Sequence, residues 1–274
     1  MNLKLCNTKR EIVRLPAMKN NVRKVAFLGS KAIGAYCLNT LLTNREELEI
    51  DVVLVLTNNR SISSDEETVS EVANRYAIPT ATRLNALFNL NELDFIISVQ
   101  YHEILNQEHI NKAKLLALNL HMAPLPEYRG CNQFSFAILD QAKEFGTTLH
   151  KMEPGIDDGA ILAEKRFPIP DNCRVNELYE LTLEASKSLF DENIKAVLNG
   201  RFTPVEQKHL IEERGTSLHF RKEMESIKEI DLSWPEEKID RHIRATFFPP
   251  FPPPYALING KKIELTPNWR NEIP

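Results

Sequence analysis

The sequence predicts an α/β protein with a Rossmann-like, doubly wound sheet of mainly parallel strands. Short apolar runs typical of strands alternate with amphipathic stretches typical of helices over about 120 residues. A short strand near residue 120 is followed by a proline-containing loop, and near residue 145 the pattern changes to two strands around a turn. In such a fold, ligands bind beyond the carboxyl ends of the strands.

The first unit begins with the apolar run 24–28, which ends at Gly29 and is followed by apolar residues at helical spacing as far as Leu42. We predict a strand, a tight turn and a helix here. The next strands and connections are predicted at Ile50–Leu56, a turn at Asn58-Asn59, a charged helix from about Ser64 to Arg75, and strands at Asp94–Val99 and Leu118–Leu120.

In the second half, strands are predicted at 147–152 and 160–167, on either side of the turn 153–159. A long amphipathic helix, 175–198, is expected to end at Asn199-Gly200. Beyond it, the proline-rich run 249–254 excludes helix and central strand, and Asn259-Gly260 between two apolar runs predicts a hairpin of a small β-containing segment. We therefore divide the chain into a basic N-terminal extension (1–23), a main α/β domain (24–200) and a C-terminal segment (201–274).

The composition is that of an ordinary globular protein. The chain has 274 residues, 42% of them hydrophobic, with 34 Lys+Arg against 38 Asp+Glu and a net charge of −4. This excludes disordered and fibrous classes, and it lacks the strongly basic balance typical of nucleic-acid binding. No apolar run approaches the roughly 18 residues of a membrane span. We expect neither a nucleic-acid nor a membrane partner.

The four cysteines are far apart and form no CxxC pair, so they predict neither a zinc site nor a disulfide framework. They are expected to be free thiols in a cytoplasmic protein. The basic residues before position 25 lack the apolar core of a secretory signal, so secretion is not expected. An organellar presequence and an alternative start at Met18 are the two interpretations that stay open. The cysteines are Cys6, Cys37, Cys131 and Cys173.

The turn after the first strand does not match a dinucleotide site. It contains only Gly29 and Gly34, without the GxGxxG pattern that places a pyrophosphate under a helix. A nicotinamide or flavin cofactor is therefore not expected. Lys31 and the backbone of this turn either hold an anion or are merely structural.

The residues most able to carry chemistry follow the strand near position 120. Asn119 and His121 are two apart, so a strand would present an amide and an imidazole on the same side. A carboxylate that could orient the imidazole occurs at Asp157, in a turn flanked by Gly155 and Gly159 that allows close backbone approach. Each feature alone is weak, since a lone histidine at a strand end is more often structural.

Together these features resemble the folate-dependent formyltransferases, which include methionyl-tRNA, glycinamide ribonucleotide and sugar N-formyltransferases. The family pattern is Asn-x-His, a Leu-Pro-containing loop ending in Arg-Gly, and Gly-x-Asp, with the aspartate 36 residues after the histidine. Here 157 − 121 = 36. The resemblance covers roughly residues 24–200. The runs that are most similar to nucleotide-sugar N-formyltransferases are 128–134, 214–222 and 241–248.

The resemblance implies transfer of a formyl group from N10-formyltetrahydrofolate to a dTDP-linked 3- or 4-amino-dideoxysugar, for surface polysaccharide of the O-antigen (lipopolysaccharide) type. Asn119 and His121 would stabilise the oxyanion of a tetrahedral intermediate, and loss of one such donor costs about 3 kcal/mol. Asp157 would orient His121, and either residue could accept the amine proton. No metal is implied.

The resemblance also implies a folate pocket made by the loop after the fourth strand and by the turn that bears the aspartate. Ile104 and Leu105 could instead be core residues of a following helix, and His102 and Glu103 are expected to be exposed. The folate candidates are Gln100, Tyr101, His102, Ile104, Leu105, Glu153, Gly155 and Ile156.

A nucleotide diphosphate requires cations, and its base requires an apolar or aromatic platform. The substrate-binding candidates are Lys31, Arg129, Asn132, Arg221, Trp234, Arg244, Phe247 and Phe248, with Lys222 and Tyr255 as further possibilities. The alternative for the aromatic residues is packing of the C-terminal segment, which we expect either to bind substrate or to build a homodimer. Two other functions stay open: a methionyl-tRNA formyltransferase, and a catalytically silent folate or nucleotide-sugar binding protein.

Overall fold

The computed structural model describes residues 22–58 and 65–273. Residues 1–21 of the predicted extension therefore lie outside the described residues, as do Asn59 of the predicted turn and Ser64 at the predicted helix start. Arg23, which we assigned to the extension, instead begins the first strand. Its buried guanidinium donates to the carbonyl oxygens of Leu48 and Leu198, so the residue is part of the α/β domain.

The strands of the described residues lie in three separate sheets. In chain order they are β1 (Arg23–Gly29), β2 (Ile50–Leu56), β3 (Thr80–Ala81), β4 (Phe95–Val99), β5 (Leu116–His121), β6 (Arg129–Gly130), β7 (Glu144–Lys151), β8 (Ile161–Pro168), β9 (Leu218–His219), β10 (Tyr255–Ile258) and β11 (Lys261–Glu264).

The α-helices range from single turns to the long helix that follows β8. In chain order they are α1 (Lys31–Thr43), α2 (Arg45–Leu48), α3 (Val69–Arg75), α4 (Gln107–Ile110), α5 (Gln133–Leu139), α6 (Val175–Leu198), α7 (Ile211–Arg214), α8 (Glu223–Lys228) and α9 (Glu236–Thr246). Short 3-10 helices occur at Leu84–Asn89, Gln207–His209 and Trp269–Asn271.

The main sheet has the strand order β3-β2-β1-β4-β5-β7-β8 within the described part of the chain. Its strands are parallel from β3 to β5, and β7 and β8 are added antiparallel. The predicted α/β class with a mainly parallel sheet is confirmed. The charged helix that we predicted from about Ser64 is shorter, because Thr68 and Glu71 form a capping box that starts α3 at Val69.

The two faces of the main sheet bury different sets of side chains. On one face, α1, α3 and α6 pack against strand residues such as Leu118 and Leu120. On the other face, Ala117 packs with the segment around Leu84–Asn89 and with Leu105. Side chains alternate along a strand, so Asn119 and His121 point to the same face as Ala117, away from α6.

The C-terminal segment is paired with the main domain rather than separate from it. The backbones of Val205 and Ile161 exchange two hydrogen bonds of 2.9 and 2.8 Å, and β9 pairs in parallel with β6. The predicted boundary at residue 200 thus separates two stretches that hydrogen-bond to one another. Further on, the predicted hairpin is present as β10–β11, over a small core of Ile230, Ile239, Ile243, Ala256, Leu265 and Trp269.

Among the described helices, none combines the length and the apolar composition needed to cross a bilayer.

Candidate active site

The three predicted catalytic residues are positioned by two neighbouring parts of the sheet. Asn119 and His121 lie in β5, with His121 as its last residue, and Asp157 lies in the turn between β7 and β8. Nδ1 of His121 is 3.5 Å from Oδ2 of Asp157. The structure therefore brings this carboxylate next to the predicted imidazole.

A second histidine, His150, completes the group, and it was not among the residues predicted from the sequence. Its Nε2 lies 3.0 Å from Nδ2 of Asn119 and 3.5 Å from Oδ1 of Asp157. The antiparallel pairing of β5 and β7 places His150 directly opposite Asn119. A signal was available, because His150 lies in a predicted strand, but the contact depends on a pairing register that the sequence does not reveal.

The backbone partners of the two imidazoles determine which nitrogen of each ring carries hydrogen. Nδ1 of His150 lies 2.9 Å from the carbonyl oxygen of Lys151, and Nε2 of His121 lies 2.8 Å from that of Tyr128. Carbonyl oxygens only accept, so both of these nitrogens carry hydrogen. The second nitrogen of each ring then donates toward Asp157 only when that ring carries an additional proton.

Asp157 is held in its ionised form by the surrounding donors. Burial by itself would raise its pKa, but the positive charge of a protonated His121, the hydrogen bond and charge of His150, and the backbone N–H of Gly130 together lower its pKa well below the usual value. The Gly130 nitrogen donates to Oδ2 over 3.0 Å. The carboxylate is thus a fixed negative charge beside two imidazoles.

The loop after β5 is held on one side by the C-terminal segment. Ser217 donates from both its N–H and its hydroxyl to the carbonyl oxygen of Glu127, and Cys131 donates its N–H to the carbonyl oxygen of His219. Gly130 has φ of +84°, and a Cβ there would lie 2.3 Å from the carbonyl oxygen of His219. Only glycine allows this close approach, which directs its N–H at Asp157.

Charged side chains also hold this loop. Arg166 donates to Glu127 and Glu164 over 2.8 and 2.9 Å, and Arg214 also donates to Glu164. Glu127 is largely buried, and its second carboxylate oxygen has no hydrogen-bond partner within 22–58 and 65–273. Arg166 is therefore the main counter-charge of a buried carboxylate in the loop.

The predicted folate residues lie around the carboxyl end of β4 and in the aspartate turn. Gln100 accepts a hydrogen bond of 2.8 Å from Lys31, which joins the ends of β4 and β1. Ile104 is 70% exposed, whereas Leu105 is buried in the core, although in the loop before α4 and not in a helix. His102 is half-buried rather than exposed as expected, and its Nδ1 has no partner among the described residues.

The remaining folate candidates differ in how they are held. Tyr101 donates its hydroxyl to the carbonyl oxygen of Thr82, and Glu153 is paired with Lys151. Glu103, predicted to be exposed, is half-buried beside His102. Gly155 and Ile156 belong to the same turn as Asp157.

The substrate-binding candidates fall into two groups. One lies near residues 122–130, the loop after β5, which we call the catalytic loop because it follows the predicted residues Asn119 and His121. Nε of Arg129 donates to Ile156, Asn132 donates to the backbone of Phe220, and Arg221 follows as an exposed residue. Phe220, which was not among the predicted residues, is 44% exposed there.

The second group lies in or against the C-terminal segment. Arg244 and Phe247 line a cavity of about 220 Å³ together with Arg174 at the start of α6. Phe248 packs on Tyr179, and Trp234 packs on His242. Within the described residues, no hydrogen bond or ion pair joins this group to Asn119, His121 or Asp157.

No group of three or more His, Cys, Asp or Glu side chains in the described part of the chain could hold a metal ion.

Residues 23–194 match the protein family described as formyl transferase. GDP-perosamine N-formyltransferase of Brucella melitensis is 32% identical to this chain over 168 residues, which are 61% of this chain. The match covers 62% of the length of that relative, so the similarity spans somewhat less than two thirds of either protein.

Two further similarities extend over more of the chain. A methionyl-tRNA formyltransferase of Pediococcus pentosaceus is 27% identical over 92% of this chain and 78% of its own length. The crystal structure of WlaRD, a sugar 3N-formyltransferase studied with dTDP and 5-N-formyl-THF, superposes with a TM-score of 0.73. It is 27% identical, over 89% of this chain and 85% of that one.

Proposed function

The chain belongs to the formyltransferase family, and we propose that it transfers a formyl group from N10-formyltetrahydrofolate to the amine of a dTDP-linked 3- or 4-amino-dideoxysugar. The observation that carries the proposal is the group formed by Asn119, His121, His150 and Asp157. It combines an amide donor, two imidazoles and a fixed carboxylate, which suit formyl transfer between nitrogen atoms.

Each of these residues has a distinct task. When His150 is neutral, its Nε2 accepts one hydrogen of the Asn119 amide, and the second hydrogen can be directed at the formyl oxygen as negative charge develops there. Asp157 lies 3.5 Å from Nδ1 of His121 and orients this imidazole toward the same oxygen. As the attacking amine loses its proton, the group that can accept it is either Asp157 or, when its Nδ1 carries no hydrogen, His121.

The folate supplies the electrophilic formyl carbon, and the residues present fit its pterin ring. A pterin needs hydrogen-bonding groups at its edge and apolar contacts at its face. His102 has a buried, unpartnered ring nitrogen among the described residues, and Ile104, two positions further along the chain, is exposed. Gln100, Tyr101, Leu105 and the turn that contains Glu153, Gly155 and Ile156 would complete the pocket.

For the acceptor, the relatives support a nucleotide sugar. One of them is named for GDP-perosamine, and another is a sugar 3N-formyltransferase studied with dTDP. In this chain, Lys31, Arg129, Asn132 and Arg221 lie at or near the loop and strand ends that border the group. We further propose a cytoplasmic, homodimeric enzyme whose product enters surface polysaccharide.

A second candidate, methionyl-tRNA formylation, is favoured by one observation: the tRNA enzyme of Pediococcus pentosaceus matches this chain over 92% of its length. Against it, the chain has a net charge of −4, and residues 201–274 contain 12 basic and 12 acidic residues. A tRNA-binding segment normally has a basic face.

The experiment is a mass-spectrometric turnover assay with purified protein and N10-formyltetrahydrofolate. Parallel reactions contain dTDP-linked 3-amino and 4-amino dideoxysugars, GDP-perosamine and initiator methionyl-tRNA. We expect formylation of one dTDP sugar, which would also identify the amine position. Formylation of GDP-perosamine instead would show that the acceptor carries GDP and not dTDP. Formylation of the tRNA alone would favour the second candidate function. Folate binding without turnover on any acceptor would point to a silent binding protein.

A further inference from the structure

One residue of the C-terminal segment reaches the backbone of the aspartate turn. Gln207 begins the 3-10 helix Gln207–His209, two residues after the backbone pairing of Val205 with Ile161. The residue is buried, with an exposed fraction of 4%. Nε2 of Gln207 donates to the carbonyl oxygens of Asp157 and Gly159, both over 2.8 Å.

The orientation of this amide follows from its partners. Both are carbonyl oxygens, which only accept, so the nitrogen end of the amide must face them. Oε1 of Gln207 is then buried without a hydrogen-bond partner in the described part of the chain. Burying an unpaired oxygen is unfavourable, and here the two hydrogen bonds to the turn offset that cost.

The turn itself requires support from outside. Asp157 has φ of +51°, in the left-handed region that a residue with a side chain rarely adopts. Gly159 packs so closely on β7 that a Cβ there would overlap the carbonyl oxygen of Lys151. Gln207 therefore fixes both ends of a three-residue stretch whose backbone is tightly constrained.

We propose that Gln207 is a positioning residue for catalysis: it holds the backbone of Asp157 so that the carboxylate stays aligned with His121, His150 and the N–H of Gly130. The C-terminal segment thus contributes to the catalytic group itself. The neutrality of the glutamine matters, because a charged side chain at this position would alter the electrostatics of the neighbouring carboxylate.

The proposal rests on the proposed function only for its kinetic readout. The test compares Gln207→Met, which keeps the length of the side chain but cannot donate, with Lys208→Met, which changes the exposed next residue. Hydrogen–deuterium exchange of peptides covering 153–160 needs no substrate. We expect faster exchange there in Gln207→Met alone, a kcat about tenfold lower, and an unchanged KM for the acceptor.

A further variant, Gln207→Glu, provides a signature that a packing role would not give. The carboxyl group that this variant introduces can still donate one hydrogen bond when it is protonated, whereas its ionised form cannot. We expect the kcat of Gln207→Glu, relative to wild type, to rise as the pH is lowered. If Gln207→Met does not fold, the pH dependence of Gln207→Glu still tests the proposal.

Several results would overturn the proposal. One is exchange at 153–160 that is the same in Gln207→Met and Lys208→Met; another is a Gln207→Met enzyme with wild-type kcat. A lower Tm with unchanged kcat would make Gln207 purely structural. If the wild-type protein formylates none of the acceptors, the proposed function fails, and the exchange experiment still decides the positioning role.

Discussion

Nε2 of His150 lies 3.5 Å from Oδ1 of Asp157, while His121 faces the other oxygen of the same carboxylate. Asp157 is therefore shared by two imidazoles, one from each of two adjacent antiparallel strands. The same nitrogen of His150 contacts the amide of Asn119. His150 consequently links the amide donor to the carboxylate.

This link predicts that His150→Gln lowers kcat about tenfold without a large change in KM. Glutamine can still hydrogen-bond to Asn119 but cannot carry a positive charge, so Asp157 loses one of the groups that lower its pKa. Steady-state kinetics with saturating substrates measure the effect. His209→Gln, at an exposed position, is the matched control. A His150→Gln enzyme with wild-type kcat would exclude a role for this ring.

His121→Ala should lower kcat by about 100-fold or more, because the change removes the imidazole that is proposed to act next to the developing negative charge. Single-turnover measurements on formyl transfer test this directly, and thermal unfolding of the variant establishes that it is folded. Retention of more than about a tenth of the wild-type rate would contradict the role assigned to His121.

Asp157 also predicts a dependence of stability on pH. Its pKa in the folded protein is lower than the 3.8 of an unperturbed aspartate, so the ionised form stabilises the fold above pH 3.8 and this contribution is lost as the pH falls through the folded value. Wild type should therefore lose more free energy of unfolding than Asp157→Asn when the pH is lowered from 6 to 3. Urea unfolding at several pH values measures the difference. Parallel curves for the two proteins would show that the carboxylate is not stabilised in its charged form.

The two groups of substrate candidates can be separated with a pair of phenylalanine variants. Phe220 is exposed beside the strand that pairs with the catalytic loop, and an aromatic platform for a base contributes about 1–3 kcal/mol. We expect Phe220→Ala to raise the KM for the nucleotide sugar about tenfold and Phe247→Ala mainly to lower Tm. The opposite result would indicate that the nucleotide base binds in the cavity lined by Arg174, Arg244 and Phe247.

The ion pair between Arg166 and Glu127 of the catalytic loop predicts a non-additive effect of substitutions on stability. Arg166→Met leaves the largely buried Glu127 carboxylate without its main partner, which should lower the free energy of unfolding by about 1.5–3 kcal/mol. Adding Glu127→Gln removes the unpaired charge and should restore part of that loss. Chemical denaturation of the two single variants and the double variant measures the coupling. Strictly additive losses would mean that the pair does not stabilise the loop.

Local patterns in the sequence were sufficient to predict most of the strands of the main sheet. The strand at Ile50–Leu56 and the helix at Val175–Leu198 have the predicted bounds, because apolar periodicity and the Asn199-Gly200 stop are local signals. The helix before Arg75 was placed too early, because its charged residues resemble a helix whereas the capping at Thr68 decides where it begins.

The proposed catalytic group was predictable only where its spacing resembled a known family. Asn119, His121 and Asp157 have that spacing, and the structure brings them together. His150 and Gln207 were missed because each reaches the group through long-range pairing, of β5 with β7 in one case and of Val205 with Ile161 in the other. Such pairings are set by tertiary packing, which leaves no signature in the local sequence.

The attachment of the catalytic loop to the strand β9 has a consequence for biosynthesis. Ser217 follows Glu127 by 90 positions, and Gln207 is likewise made long after the turn that it supports. Chains grow from the N-terminus at about 5–20 residues per second, so the loop waits on the order of ten seconds for its partner. A nascent chain that has emerged only through α6 contains every strand of the main sheet but not the segment that secures its catalytic loop. Under the proposed function, the protein would therefore become competent for catalysis only after this segment has been synthesised, later than the sheet.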